Sequence, residues 1–418
     1  MSEKTRWLLM LCLVQLFIMM VFINYSAVLP QLKDEWGMNN TMAGSILSVY
    51  QLGYIASGVI LSALTDRLNT RNIFIASALW SASANLLFAL YAHDYTSALI
   101  LRALTGIGMG GTYMPGIKLV AERFGANERG RAIGIYVGSL MLGASLSLAV
   151  TGWLSSLFGW RNAFLTGSLC VYLGTALSLL VFRGYRPTFH RRAAPAAKTG
   201  LAAETLGNRS ALLMILGYAS HMWEMYGMRG WIAPFFTASL LAHGIARGVA
   251  PGWAASAAAL VIGVGAVSTA LTGSLSDRFG RTRTISIVMA GSACCSFCFG
   301  WLINCHPAYA LCFGLVYGFL VSAESPVFST ALTELVSPAY LGAAMGMQSL
   351  IGYTLAMISP TVFGWALDLT HNLRPWGWFS VDWGIAFATA GLGGLAGPVF
   401  MYLLRRLPES TKMAGGRK

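Results

Sequence analysis

Charge is scarce in this 418-residue chain: only 10% of residues are Asp, Glu, Lys or Arg, while 56% are apolar and 47 are glycine. A soluble domain cannot hide that much apolar surface, so the composition asks for a bilayer as solvent. Cysteine is sparse and odd in number, seven in all, and stands in apolar runs rather than exposed loops, which argues against a disulfide framework. Cys295-x-x-Cys298 has metal-ligand spacing and lies near Cys294, Cys305, His306 and Cys312, yet small polarizable side chains packing between helices is the simpler reading. Catalytic signatures are missing too. No Ser-His-Asp set, His-Glu-x-x-His, phosphate loop or dinucleotide loop stands in a suitable context, so neither an enzyme nor a bound cofactor is expected. A sensor would call for an added soluble domain or long tail, and neither is expected here.

What is present is apolar sequence in membrane-length runs. About 20 such residues span a bilayer as a helix. Six spans are expected at roughly 8–29, 42–64, 73–92, 97–120, 132–155 and 162–182. Six more follow at roughly 211–241, 251–274, 284–304, 308–333, 341–366 and 380–404. The basic N-terminus, Met1 to Trp7, leads into an apolar run too long for a secretory signal, so the first span is expected to be retained. Alternate loops, starting with the N-terminus, hold 21 Lys and Arg against 4 in the opposite loops. Both termini are therefore expected in the cytoplasm. The net charge of +13 follows from this topology; it needs no nucleic acid and suits contact with anionic lipid headgroups.

The chain carries one stretch twice. Gly273-Ser-Leu-Ser-Asp277-Arg278-Phe-Gly280-Arg281-Thr-Arg283 is echoed by Ser62-Ala-Leu-Thr-Asp66-Arg67-Leu-Asn69-Thr-Arg71, with the two Asp-Arg pairs 211 residues apart. Pro115 and Pro326, Glu122 and Glu334, and two Gly-x-Ala-x-Gly strings recur at nearly the same interval. Two copies of one unit thus fill the chain. The doubled loop resembles the loop between the second and third helices of the major facilitator superfamily, Gly-x-x-x-Asp-Arg/Lys-x-Gly-Arg/Lys-x-Arg/Lys. The second copy fits at every position. The first has Ser62 and Asn69 where the family has glycine, and Asn is expected to tolerate the left-handed turn. Arg102-x-x-x-Gly106-x-x-x-Gly110 looks like the family's fourth-helix motif, and Pro408-Glu409-Ser410 like a short motif after the last helix.

The resemblance implies an all-α membrane protein: twelve helices in two pseudo-symmetric six-helix bundles around a central cavity that opens alternately to each side. Residues 1–182 would form the first bundle, 183–210 a cytoplasmic tether and 211–418 the second bundle. A monomer in the cell's plasma (inner) membrane is expected. Asp66, Arg67, Arg71, Glu122 and Arg131 in one half, and Asp277, Arg278, Arg281 and Glu334 in the other, form candidate cytoplasmic latches. The alternative is ordinary surface ion pairs of little energetic weight.

Ionisable residues inside the spans are costly and mark candidate sites. They are Arg102, Lys118, His221, Glu224, Arg229 and Glu324. The glycines after Arg102 let helices approach closely, and Arg102 itself is divided between a structural role and proton coupling. The seventh span, His221-Met-Trp223-Glu224-Met-Tyr226-Gly-Met-Arg229, is the densest polar and aromatic cluster, and the resemblance puts it on the transport path. On a helix His221 and Glu224 lie about 60° apart and share a face, whereas Glu224 and Arg229 lie about 140° apart. A stabilising network between helices is the alternative. Tyr113 and Glu324 are repeat partners, each two residues before a proline where the helix ladder weakens. Lys118 either snorkels to headgroups or reaches the cavity. Asn24, Tyr25, Tyr50, Gln51, Tyr54, Gln348 and Tyr353 are further side chains placed to reach a solute.

Fixed cations at three places in the membrane, with no large acidic patch, favour an anionic solute. The expected function is secondary active transport of a small, carboxylate-like solute, with Arg229 and Lys118 attracting the anion at opposite mouths. Glu224, Glu324 or His221 would carry a coupling proton. Proton-driven efflux of amphipathic or drug-like compounds is the alternative, less favoured because Gly138-Ser-Leu-Met-Leu-Gly143-Ala144 lacks the Gly-Pro pair that the family's antiporters often carry. A transport-inactive membrane sensor is the reading from another class.

Overall fold

The structure, a computed structural model, describes residues 2–65, 67–184, 207–337, 340–371, 373 and 381–417. Asp66, Arg374 and all but the ends of the expected 183–210 tether lie outside the described residues. The described chain is almost wholly helical. Its first part comprises α1 (Glu3–Ile18), α2 (Asn24–Glu35), α3 (Asn40–Leu64), α4 (Thr70–Tyr91), α5 (Tyr95–Arg123), α6 (Ala126–Phe158) and α7 (Trp160–Val181). After the tether come α8 (Arg209–Ala242), α9 (Ala250–Gly263), α10 (Gly265–Phe279), α11 (Arg281–Phe299) and α12 (Pro307–Ala323). The last are α13 (Ser325–Leu335), α14 (Leu341–Thr370) and α15 (Val381–Arg405), and a 3₁₀ segment, Pro408–Gly416, closes the chain.

Fifteen helices reduce to the twelve expected spans because three spans are interrupted: α1 passes into α2 through a 3₁₀ turn at Met19–Val21, α9 breaks from α10 at Val264, and α12 breaks from α13 at Glu324. Ten stretches among the described residues are long and apolar enough to cross a membrane. The two other long helices are α5, with 29 residues, and α8, with 34. Their polar side chains, Arg102 and Lys118 in one and His221, Glu224 and Arg229 in the other, lower their hydropathy. Many helices overrun the expected ends; α6, at 33 residues, is about 50 Å long against a hydrocarbon core of about 30 Å. Apolar windows register only the part inside lipid.

The two prolines of the repeat behave differently. Pro326 starts α13 immediately after the break at Glu324, whereas α5 runs unbroken through Pro115. Local chemistry fixes several helix starts. Asp94 caps α5 in a capping box: its carboxylate accepts from the Ser97 amide at 2.8 Å while the Asp94 amide donates to Ser97 Oγ at 3.1 Å, and the Ser97 hydroxyl also donates to the carboxylate at 2.6 Å. These bonds, the hydroxyl's foremost, hold this exposed carboxyl below its usual range.

Contacts divide the chain into two compact units, one of Met1–Arg192 with Ile232–Gly263 and one of Ala193–Trp231 with Val264–Lys418. In the first unit α9 packs along α6, where Ser145 Oγ donates to the Ala259 carbonyl at 2.6 Å and Trp153 Nε1 to Ser256 Oγ at 2.8 Å. The same unit holds the tightest helix pair, α3 with α5. A Cβ at Gly106 would collide with the Tyr50 carbonyl, and one at Gly110 with the Ser57 hydroxyl and the Tyr54 carbonyl. The spacing of four brings both glycines to one face, as expected. In the second unit Met214, Met289, Phe328, Leu332 and Met401 form one core, and Trp231 stacks on Phe363 at 5.4 Å.

Candidate functional site

Each unit buries polar side chains that lipid would penalise, and each satisfies them differently. In the first unit Arg102 of α5 is 1% exposed. Its Nη1 donates to Asn24 Oδ1 at 3.0 Å, Asn24 Nδ2 donates to Asn85 Oδ1 at 3.1 Å, and Asn85 Nδ2 reaches Ser168 Oγ at 2.9 Å and the Phe164 carbonyl at 3.0 Å. The guanidinium also lies over the ring of Tyr50 at 4.5 Å and that of Tyr25 at 5.8 Å. Four helices, α2, α4, α5 and α7, are thus tied by one cation and neutral acceptors. Lys118 lies lower in α5, and its Nζ donates to the Thr65 carbonyl at 2.7 Å and to Thr65 Oγ1 at 3.0 Å. It binds the end of α3 rather than extending straight to headgroups.

Of the other residues expected in this unit, Gln51 is buried beside Tyr50, while Tyr54 and Tyr113 are half-buried against the hydrophobic core. Arg67 and Arg131 are exposed, and Arg71 and Glu122 are half-buried. Asn69 does not make the left-handed turn expected of it. It is extended, at φ −62° and ψ 116°, and its side chain accepts from the Arg71 amide at 3.0 Å to cap α4. A side-chain cap satisfied the helix start at lower cost than a positive φ.

The second unit gathers the acidic residues. His221 Nδ1 of α8 stands 3.0 Å from Glu324 Oε1, with both side chains fully buried, so the break at Glu324 presents its carboxyl group to α8. Glu224, one turn further along α8 and also fully buried, accepts from Ser292 Oγ of α11 at 3.0 Å. The expected shared face of His221 and Glu224 is therefore used, towards α12 and α11 respectively. Arg229 is 5% exposed, one turn along α8 from the buried Tyr226. Tyr226 and Tyr353 meet edge to face at 6.0 Å. Trp223 is anchored by its ring nitrogen to the Thr389 carbonyl at 2.9 Å, and Gln348 is buried on α14.

At the end of α10 the second loop is held by charge. Arg281 donates from Nη2 and Nε to the two oxygens of Glu334 at 2.8 and 3.3 Å, and its Nη1 lies 2.6 Å from Asp277 Oδ1. The forked geometry suits a guanidinium facing a carboxylate. Arg278 is exposed and outside this cluster. Sequence reasoning did not single out Gln15, which accepts from the Tyr136 hydroxyl at 2.7 Å, nor Asn85, Ser292 or Tyr317. Gln15 and Asn85 had a usable signal, since each is an amide inside an apolar run and needs a partner there. Ser292 and Tyr317 had none, being common in membrane helices.

Among the described residues no group of three or more His, Cys, Asp or Glu is placed to hold a metal ion. Comparison with known proteins gives the class. The family model of the Major Facilitator Superfamily matches residues 11–360 and, in a second match, 252–417. The chain belongs to that superfamily, is a transporter rather than an enzyme, and has its twelve-helix membrane fold. It is 25% identical to the "Probable sulfoacetate transporter SauU" of Cupriavidus necator over 99% of this chain and 97% of that one. The gallate transporter of Pseudomonas putida is also 25% identical, over 49% of this chain and 46% of its own. Among solved structures a D-xylose-proton symporter superposes with a TM-score of 0.78 at 17% identity, covering 98% of this chain and 99% of that one. That likeness concerns the fold.

Proposed function

We propose that this transporter moves a small organic anion by alternating access, driven by a proton. The observation that carries the reading is the make-up of α8, where a buried guanidinium, Arg229, stands about one and a half turns from Glu224 and about two turns from His221, which pairs with Glu324. Along the helix axis His221 and Arg229 are about 12 Å apart. An anion drawn to Arg229 and a proton taken up by the acidic cluster would thus occupy neighbouring but separate places. The other two membrane cations tie helices of the first unit: Arg102 donates to Asn24 and lies over two aromatic rings, and Lys118 donates to Thr65. A relative spanning almost the whole chain is named for sulfoacetate and a second for gallate, both anions, which supports the solute class. The cytoplasmic location of both termini and the six-plus-six bundles are part of the same proposal.

The test is uptake into liposomes containing the purified protein. Labelled sulfoacetate and gallate should accumulate when the outside is made acidic, and Arg229→Gln should weaken their binding at least tenfold at every pH, since one charge-assisted contact is worth about 1.5–3 kcal/mol. Transport of a cationic, apolar compound, with these anions neither bound nor moved, would sink the reading.

A further inference from the structure

The three titratable groups around α8 do not have equivalent surroundings. His221 and Glu324 face one another at 3.0 Å, each the other's hydrogen-bond partner. Glu224 faces Ser292 and Cys295 of α11, Tyr317 of α12 and the main chain of α15, where a Cβ at Gly394 would collide with its carboxylate oxygen. The other buried carboxyl group beside α8, Glu324, is already taken by His221 and offers Glu224 no counter-charge. Arg229, a buried cation on the same helix, is five residues along and about 140° round. An ionised Glu224 therefore adds a charge that this dry surrounding does not balance.

Ser292 explains how both charge states can be held. Its single hydroxyl hydrogen has two acceptors in reach, Glu224 Oε2 at 3.0 Å and the Met289 carbonyl of its own helix at 3.1 Å. One hydrogen cannot serve both fully. With Glu224 ionised, the hydroxyl turns to Oε2. With Glu224 protonated, the carboxyl donates to Ser292 Oγ and the hydroxyl turns back to Met289. Either state keeps its hydrogen bonds with no movement of heavy atoms.

We propose that Glu224 is the group that takes up and gives back the coupling proton, that Ser292 is its positioning residue, and that His221 and Glu324 remain a pair throughout. This rests on the proton-coupled reading above and selects one of its three candidates. In the release step the O–H bond of Glu224 breaks, the proton passes to a water molecule, the electron pair stays on the carboxylate, and the Ser292 hydroxyl rotates to meet it; loading is the reverse.

Infrared difference spectra between acidic and alkaline buffer, recorded on the protein in lipid with the proton as the sole ligand, test this. A buried carboxylic C=O band should be present in the native protein, lost in Glu224→Gln and retained in Glu324→Gln. In Ser292→Ala the band should shift in frequency, and Ser292→Thr, which keeps the hydroxyl, should restore it. A band that survives Glu224→Gln, or one that Ser292→Ala leaves unmoved, overturns the proposal, and the serine variants decide it even if the Glu324 variant fails to fold. If the band behaves as expected but uptake of labelled sulfoacetate by the same vesicles ignores the pH gradient, the failure lies in the proton-coupled reading instead.

Discussion

The two copies of the repeated loop share a sequence string and are wired differently. In the second copy Gly280 joins α10 to α11 at φ +92° and ψ 149°, and Arg281 next to it grips Glu334 with two bonds. In the first copy the link is longer, Asn69 stands extended as a helix cap, and Thr70, 3% exposed, occupies the place of Arg281. From α5, Lys118 reaches across to the Thr65 carbonyl at the end of α3. The C-terminal segment reinforces the second copy: the Ala414 amide donates to Glu334 Oε2 at 3.0 Å and Arg417 Nη1 to the Asp277 carbonyl at 2.9 Å. Met413, fully buried, seats that segment in the core of the second unit. A duplicated motif therefore conserves the position of a loop more strictly than the bonds that hold it.

The largest effect should come from the cation that separates the copies. Arg281→Ala leaves Glu334 without its forked partner, and the loss of one member of such a shielded pair should cost about 3 kcal/mol. Thr70→Ala at the matching position should cost less than about 1 kcal/mol. Thermal unfolding of the two purified variants measures the contrast, and equal losses would erase it.

Backbone geometry gives the next test. Gly280→Ala forces a side chain into a conformation open almost only to glycine, at about 1–3 kcal/mol, whereas Asn69→Gly should cost only a few tenths because glycine is itself an acceptable cap. A first loop that required a positive φ would instead be stabilised by the second change.

Lys118→Met sharpens the comparison from the other side. Removing the bonds to Thr65 should lower stability by about 1 kcal/mol while leaving the affinity for labelled sulfoacetate as it was. Lost affinity with unchanged stability would move Lys118 into the solute site. The smallest effect is expected at Asp277, whose side chain is 64% exposed. Asp277→Asn should change stability by under about 0.5 kcal/mol, and slow turnover without altering affinity if the loop acts as a latch.

The sequence by itself determined the membrane class, the twelve spans, the doubled loop and the helices rich in buried charge. Each of these follows from a local requirement: about 20 apolar residues to cross lipid, or a motif that recurs at a fixed interval. It also marked both prolines of the repeat as weak points. Only the tertiary structure decided that the chain breaks at Glu324 and not at Tyr113, because a ladder missing one bond breaks or holds according to what packs beside it. Partners were settled at the same level. Arg102 and Asn24 are 78 residues apart and His221 and Glu324 are 103 apart, so no local pattern could pair them. A buried polar group must find its hydrogen bond laterally, on whichever helix the fold brings alongside.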